Sequence, residues 1–161
     1  MPRDIPIGNG SVLIAFDRDY LLREFFFPHV GDENHTKGRP FRFGVWVNGD
    51  FSWIPQGWDV RTDYLDNTLA TNVLLRNEQL KISITANDIV DFHENIYIKK
   101  ISVENHSGKL QDVRLFIAQD FRIGGNKIGD TAAFRPETNN LVHFKGERYF
   151  LINIFSNKKF G

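Results

Sequence analysis

The sequence predicts an all-β fold, built as an antiparallel two-sheet sandwich, and three observations support this prediction. Apolar residues recur at every second position in runs of about five to nine residues, the pattern of half-buried strands. Turn-forming residues separate the runs, and no segment carries an apolar stripe of helical period. About ten to twelve strands in a single sheet would expose a wide apolar face to water, so two packed sheets are expected.

The first half of the chain contains two candidate hairpins. Residues 11–16 and 21–27 alternate in polarity on either side of a short polar connection. Residues 41–47 place Phe and Val side chains on one face, and the return strand 51–53 follows the pair Asn48-Gly49. This pair readily adopts the positive φ angles of a type I′ turn, so the second hairpin is the clearer of the two.

The second half contains three more candidate hairpins: 69–76 with 80–85, the two long strands of 95–121 joined by the turn 107–109, and 141–144 with 149–155. In the second long strand, Arg114 and Phe116 alternate with three apolar residues, so we expect this strand to be covered on both sides. The last strand ends at FSNKKFG without a covering element. Its open edge is expected to permit homo-oligomer formation by edge-to-edge pairing of two copies.

Composition and length predict one domain, residues 1–161, without nucleic-acid or membrane partners. The chain carries 20 basic and 20 acidic side chains, so no global field attracts phosphate backbones or anionic lipids. It has no cysteines, which excludes disulfides and thiolate zinc sites. No apolar run reaches the length of a signal peptide or a membrane span, so the expected location is cytoplasmic. Four lysines are expected on solvated faces or at protected strand edges: Lys99, Lys100, Lys158 and Lys159.

The polar stretch 25–43 is rich in residue types that bind metals. It contains His29, Asp32, Glu33 and His35, but two histidines six residues apart on a loop match no established metal geometry. A polar connection with locally bonded histidines is the simpler interpretation. We therefore expect no metal and no other cofactor.

No catalytic constellation is visible in the sequence. Glycoside hydrolysis needs two carboxyl groups about 5 Å or about 6.5–9.5 Å apart, and the neighbours Asp32 and Glu33 would diverge on an extended backbone. No serine stands in a nucleophile-elbow pattern. The other acids lie at apparent turns, where carboxylates are normally solvated: Asp17, Asp19, Asp50, Asp59, Asp63 and Asp66. The sequence therefore predicts no catalytic residue in this chain.

Three tryptophans, Trp46, Trp53 and Trp58, are candidates for sugar stacking. Trp46 is out of phase with the apolar residues of its own strand, so it lies on the opposite face, and Trp53 is on the adjacent strand. Sugar rings stack on flat exposed aromatics, but the same positions suit a second covered face in the core or at a domain interface. We favour the covered face.

Three blocks of sequence resemble the amino-terminal domain of the glucoamylase-like glycoside hydrolases, the family-fifteen-related group of prokaryotic glucoamylases, glucodextranases and trehalases. The blocks are MPRDIPIGNGSVLIAFDRDYLLREFFFPHVGDENHT, PFRFGVWVNGDFSW and IKKISVENHSGKLQDVRLFIAQDFRI, which keep their order over most of residues 1–122. The most specific parts are the GNG of residues 8–10 and the loop of residues 27–35. From Thr131 onward the resemblance depends on strand pattern alone.

The resemblance implies a supersandwich like that of galactose mutarotase, placed ahead of a barrel of paired helices that hydrolyses α-glucosidic bonds with inversion. The two catalytic glutamates of such enzymes lie in the helical barrel, which this sequence lacks, and the chain is short even for the complete sandwich. The implied role is a non-catalytic amino-terminal domain, inactive alone, whose partner is the catalytic barrel of the same enzyme. The alternative is a free-standing carbohydrate-binding sandwich with an oligosaccharide as its partner.

The resemblance also implies a role for the polar loop. In such two-domain enzymes this loop is placed to meet the catalytic domain or the rim of its sugar pocket. A loop that supports only its own fold is equally compatible with the sequence. The residues assigned to these contacts are His29, Asp32, Glu33, Asn34, His35 and Arg42.

Overall fold

Thirteen β-strands and one 3-10 turn form the regular structure of residues 4–156, the part of the chain that the computed structural model describes. No α-helix occurs in this range. The strands are β1 (Asp4–Gly8), β2 (Leu13–Asp17), β3 (Leu22–Phe26), β4 (Arg42–Val47), β5 (Asp50–Trp53), β6 (Asp59–Tyr64), β7 (Thr71–Asn77), β8 (Ile82–Val90), β9 (Tyr97–Asn105), β10 (Val113–Ala118), β11 (Thr131–Arg135), β12 (Asn140–Lys145) and β13 (Arg148–Ile152).

The strands form four antiparallel sheets, ordered β1-β2-β3, β10-β4-β5, β6-β7-β8-β9 and β11-β12-β13. Two backbone hydrogen bonds between Leu22 and Phe41, 3.3 and 2.9 Å long, link the first sheet to the second. An all-β chain with several antiparallel sheets is consistent with a β-sandwich, and the predicted fold class is confirmed. Between residues 4 and 156 there is no helix long and apolar enough to span a membrane.

Four of the predicted hairpins form, and local turn chemistry explains the first two. The carboxylate of Asp17 accepts hydrogen bonds from the backbone N–H groups of Asp19 and Leu21, each 3.0 Å long, in the turn between β2 and β3. Asn48 and Gly49 have φ angles of 50° and 117°, as a tight turn between β4 and β5 requires. The β7–β8 and β12–β13 hairpins also pair as expected.

The two long strands predicted to form one hairpin lie in different sheets instead. β9 pairs with β8, and β10 pairs with β4. The connection between them explains this correction, because its ends are bonded to two different hairpin turns. The N–H of His106 donates to the carbonyl of Lys81 at 2.8 Å, whereas the N–H of Asp112 donates to Oδ1 of Asn48 at 2.9 Å.

The expectation that β10 is covered on both sides is also wrong. Leu115, Phe116 and Ile117 are 40%, 45% and 45% exposed. Among the described strands β10 pairs only with β4, so it is an edge strand. Its run of apolar residues therefore belongs to two half-open faces.

The strand β6 was not predicted, because its acidic residues resemble those of a turn. Asp59 and Asp63 lie on this strand rather than at turns, and their side chains alternate with the partly buried Val60, Thr62 and Tyr64. β6 pairs with β7 over its whole length. The acids occupy the solvent face of a half-buried strand.

The core combines the inward faces of several sheets. Its largest fully buried aliphatic and aromatic side chains include Ile7, Ile14, Phe16, Ile54, Leu75, Ile82 and Ile84. The β11–β13 sheet contributes less, because every residue of β11 is exposed and Phe150 of β13 is its buried member of the core cluster. Most of the segment FSNKKFG, including Lys158 and Lys159, lies outside the described residues, and so does the open edge predicted there.

Candidate functional site

The polar loop between β3 and β4 has a root, residues 34–36, in which Asn34 is half-buried and the other two residues are buried, and an exposed tip, residues 29–32. Oδ1 of Asn34 accepts hydrogen bonds from the backbone N–H groups of Phe25 and Thr36 at 3.3 and 3.1 Å. The hydroxyl of Thr36 donates to the carbonyl of Arg23 at 2.6 Å. Side chains of the root thus satisfy backbone groups that no regular ladder pairs, and they fasten the loop to β3.

His35 is fully buried at the centre of the root. Its Nε2 lies 2.6 Å from the carbonyl oxygen of Phe27, which assigns the ring proton to Nε2, and its ring meets that of Phe150 with centroids 4.9 Å apart. Burial lowers the pKa of His35, although the bond to Phe27 acts in the opposite direction. Nδ1 has no hydrogen-bond partner among the described residues. A neutral, buried imidazole of this kind packs the loop and does not meet a dissolved substrate.

Glu33 connects the loop to the last hairpin. Its two carboxylate oxygens accept hydrogen bonds from Nη2 and Nε of Arg148 on β13, at 2.7 and 3.0 Å. This two-point geometry fixes both side chains more firmly than a single contact would. The hydrogen bonds from Arg148 lower the pKa of Glu33, so its carboxylate is ionised at neutral pH.

The tip presents His29 and Asp32 to solvent on a tight backbone turn. The N–H groups of Asp32 and Glu33 both donate to the carbonyl of His29, at 3.2 and 3.3 Å, and Gly31 supplies the positive φ of 87° that this turn needs. His29, Asp32 and the intervening residues are exposed. An imidazole and a carboxylate are therefore held at the surface by a root that cannot shift easily.

Arg42, which the sequence grouped with this loop, is the first residue of β4 and adjoins residues 37–40 at the end of the loop. Its guanidinium carbon is 5.0 Å from the ring centroid of Trp53. The six residues are thus divided by the structure: Glu33, Asn34 and His35 hold the root, His29 and Asp32 form the tip, and Arg42 belongs to the sheet β10-β4-β5.

Two arginines and four aromatic residues share the side of this sheet that faces away from the core, and we call it the outer face. Directly opposed residues in neighbouring strands lie on the same side of a sheet. The register therefore places the following residues together: Arg42 and Trp46 of β4, Phe51 and Trp53 of β5, and Arg114 and Phe116 of β10. Arg114 and Phe116 were not assigned to this face from the sequence, because the pairing of β10 with β4 joins segments about seventy residues apart. Phe51 was placed on the return strand but not grouped with the tryptophans.

The rings of the outer face pack edge to face. Phe51 meets Trp53 with centroids 4.8 Å apart and Phe116 with centroids 5.5 Å apart, at interplanar angles of 84° and 79°. Beneath them, a Cβ on Gly44 would lie 2.6 Å from the ring of Phe51 and 2.7 Å from that of Trp53. The guanidinium carbon of Arg114 lies 4.6 Å from the ring centroid of Trp46. Both partly buried tryptophans, Trp46 and Trp53, therefore carry an arginine against their rings.

Trp58 does not belong to the outer face. It is buried in the core, and its indole Nε1 donates to the hydroxyl of Ser52 at 3.0 Å. Ser52 lies on the opposite side of β5 from Trp53. Trp58 thus has the usual environment of a core tryptophan, with its single polar atom satisfied.

A buried polar network surrounds Asp88 of β8, which is fully buried. One carboxylate oxygen accepts hydrogen bonds from Lys99 at 2.7 Å and Tyr97 at 2.5 Å, and the other from Tyr20 at 2.6 Å and Thr71 at 2.9 Å. Lys99 also donates to the hydroxyl of Tyr20. The expectation that Lys99 is solvated is therefore wrong. The signal that could have revealed its burial is its phase, because Lys99 shares one side of β9 with Tyr97 and Ile101.

The network is electrically balanced, and its carboxylate is closed to solvent, whereas the Lys99 side chain keeps a small exposed fraction. Burial raises the pKa of Tyr20 and of Tyr97, and the neighbouring Asp88 carboxylate raises both further. Burial lowers the pKa of Lys99, and Asp88 opposes that shift. With each carboxylate oxygen accepting two hydrogen bonds, Asp88 has no site left for a substrate, and the network acts as a structural link between the β2–β3 turn and the β6–β9 sheet.

No group of three histidine or acidic side chains in residues 4–156 is placed to hold a metal ion. His29 and Asp32 remain as surface groups, and Glu33 and His35 are engaged in the contacts described above. The chemistry available to the loop is therefore hydrogen bonding and charge, exerted from the tip.

Comparison with known proteins gives one informative relationship. No family model matches the chain. No solved structure matches it either. An uncharacterized glycosyl hydrolase from Methanocaldococcus jannaschii is 28% identical over 148 residues, which cover 91% of this chain and 23% of that protein. The chain thus spans about a quarter of the length of the curated relative that it matches, and it is related to a glycosyl hydrolase.

Proposed function

We propose that this chain is the non-catalytic amino-terminal domain of a glycoside hydrolase that acts on α-glucosidic bonds. In this proposal it packs on the catalytic helical barrel of the same enzyme, and its polar loop adds to the rim of the substrate pocket. The relationship to a glycosyl hydrolase about four times as long supports a domain role. The resemblance of residues 1–122 to amino-terminal domains of glucoamylase-like enzymes supports the position and the bond type.

The observation that carries the loop's role is the exposed tip on a fixed root. His29 and Asp32 offer hydrogen-bond donors and acceptors of the kind that recognise sugar hydroxyls or polar protein groups. The root is held by the bonds of Asn34 and by the clamp between Glu33 and Arg148. A loop fixed in this way loses little conformational entropy when it makes a contact.

The first test is catalytic activity of the isolated chain. Glucose release from maltose, trehalose and starch should not exceed that of buffer, because the most buried acid, Asp88, is closed to substrate. Turnover above buffer would refute the proposal. Reading the coding sequence downstream of Gly161 gives a second test, since a helical region with well-spaced glutamates supports the proposal and an unrelated domain contradicts it.

The third test concerns the tip in an enzyme that carries this domain together with its barrel. We expect His29→Ala and Asp32→Ala each to raise KM by about two- to tenfold with little change in kcat, the effect of losing a single polar contact. His93→Ala and Asp66→Ala are matched controls, because both residues are exposed in other turns. Equal effects of tip and control variants would exclude the rim contact.

The alternative function is carbohydrate binding by the sandwich alone. It draws on one observation, that Trp46 and Trp53 are only partly buried on the same face. Titration of the chain with maltooligosaccharides, followed by tryptophan fluorescence, separates the two functions. A saturable change would favour the binding module, and no change is expected for a supporting domain.

A further inference from the structure

We propose that the outer face of the sheet β10-β4-β5 docks a protein surface that presents carboxylate groups. This inference goes beyond the proposed function, because it concerns a different surface from the loop tip and makes no use of the catalytic barrel. It depends on three properties of the outer face: its residue types, the position of its arginines and the charge beside it.

The residue types are those that dominate protein–protein interfaces. Trp46, Phe51, Trp53 and Phe116 supply large apolar rings, and Arg42 and Arg114 supply charged groups that stack on them. Tryptophan and arginine are enriched at the interface positions where substitution by alanine causes the largest loss of binding free energy. The face is also pre-organised, since the rings of Phe51 and Trp53 fill the space over Gly44 so closely that a Cβ there would clash with both.

The position of the arginines favours a protein over a sugar. Sugar rings stack on an open, flat aromatic face, but the guanidinium groups of Arg42 and Arg114 lie against the indole rings of Trp53 and Trp46. The remaining rings meet nearly at right angles and form no common plane. A guanidinium that rests on an aromatic ring is held in place. Nη2 of Arg114 already donates to the carboxylate of Asp112 at 2.8 Å. The N–H groups at the edge of Arg42 remain available for a bidentate bond to a carboxylate of a partner.

The charge beside the face is positive. A shallow depression of about 590 Å³ next to Arg42 is lined by Lys37, Arg39 and Arg42, with Asp120 as the one acidic residue of its lining. Asp120 is already engaged, with Arg122 at 2.9 Å and Arg39 at 3.7 Å. Arg42 has no ion pair among residues 4–156, and the whole chain has a net charge of zero. A local excess of cations in a neutral protein is complementary to an acidic partner surface.

The test uses the whole chain and a synthetic peptide of alternating glutamate and alanine as the acidic probe, titrated at low salt. Trp46 and Trp53 lie on the outer face, so their fluorescence reports binding. We expect saturable binding to the wild type and a loss of at least about tenfold in affinity for the double variant Arg42→Gln with Arg114→Gln. The variant Arg42→Lys with Arg114→Lys keeps the charge but not the planar group, and it should bind with intermediate affinity.

The matched control is the double variant Arg18→Gln with Arg61→Gln. It removes the same net charge from exposed side chains outside the outer face, and its affinity should stay within about twofold of the wild type. A thermal melt of each variant shows that it is folded. Equal losses in both double variants, or no binding of the peptide to the wild type, would overturn the proposal. Saturable binding of maltoheptaose would overturn it in favour of a sugar site.

Discussion

Lys99 and Arg42 are both cations placed over aromatic rings, yet one is inside the protein and the other faces solvent. Nζ of Lys99 lies 4.2 Å from the ring centroid of Tyr20 and is paired with Asp88. Cζ of Arg42 lies 5.0 Å from the ring centroid of Trp53, and no carboxylate of the described residues pairs with it. The cation–π contact of Lys99 thus lies within a neutralised buried network, whereas that of Arg42 leaves an unpaired positive charge at the surface.

The difference between Lys99 and Arg42 lies in the counter-ion and not in the cation–π contact. A buried ammonium must be compensated, because leaving a buried charge unpaired costs several kcal/mol. The guanidinium of Arg42 needs no internal partner, since water solvates its exposed N–H groups while its plane lies near the ring of Trp53. Unpaired charge on a fixed aromatic support is therefore the feature that points to function in this chain.

The largest expected effect comes from breaking the buried site. Asp88→Ala should lower the free energy of unfolding by about 3–5 kcal/mol, because it leaves Lys99 without its counter-charge in the interior. Lys99→Met should cost less, about 1–3 kcal/mol, since three hydroxyl groups still donate to Asp88. Urea unfolding followed by circular dichroism measures both values.

Arg42→Met is the matched control for this comparison. On the solvent side the same loss of charge should change the free energy of unfolding by about 0.5 kcal/mol or less. If the Arg42 and Asp88 variants were equally destabilised, the distinction between the buried and the exposed cation would be wrong.

The next largest effect is expected at Gly44, which lies beneath the aromatic rings of the outer face. Gly44→Ala would place a methyl group 2.6 Å from the ring of Phe51, so we expect a loss of about 1–3 kcal/mol and a changed near-ultraviolet circular dichroism signal from displaced tryptophans. Gly10→Ala is the control, because no atom lies within 4 Å of its added Cβ. An unaltered spectrum in the Gly44 variant would mean that the rings are not held in one arrangement.

The smallest expected effect concerns the pH dependence of stability and involves His35, a buried base without an ionic partner. Because burial lowers the pKa of His35 below its value in the unfolded chain, the unfolded state takes up the proton first. The stability that neutral His35 contributes is complete above about pH 6.5 and is lost as the pH falls towards the lower pKa of the folded state.

His35→Gln keeps a donor for the carbonyl of Phe27 and removes the titrating group. Its free energy of unfolding should decline less than that of the wild type between neutral pH and about pH 5, above the range in which Glu33 titrates. Parallel pH profiles for the two proteins would contradict the assignment. His143, whose pKa burial also lowers, remains in both proteins and cancels from the difference.

Sequence patterns predicted the parts of the fold that depend on neighbouring residues. The Asn48-Gly49 turn and the bonds of Asp17 determine their hairpins within a few residues. The phase of Trp46 placed it on the side of β4 away from the core for the same reason. The pairing of β10 with β4 was missed because long-range register depends on contacts between distant segments, which alternation of polarity does not encode.

The candidate site was predicted less completely than the fold. The sequence identified the polar residues of the loop, but not that Glu33 binds Arg148 or that Arg42 stacks on Trp53. Asp88 and Lys99 appeared as ordinary polar positions of strands, since their burial follows from the approach of Tyr20 and Thr71. Contacts that join separate sheets are a property of the assembled fold, and no local sequence pattern predicts them.

The clamp between Glu33 and Arg148 joins positions 115 residues apart in the chain. During synthesis on the ribosome, the ionic and aromatic contacts of the loop root therefore cannot form until the β12–β13 hairpin has emerged. Until then Phe25 and Phe27 lack the ring of Phe150 that later covers them. The nascent chain thus carries these aromatic side chains without that cover until residue 150 has been synthesised, and chaperone binding is best sought at that stage.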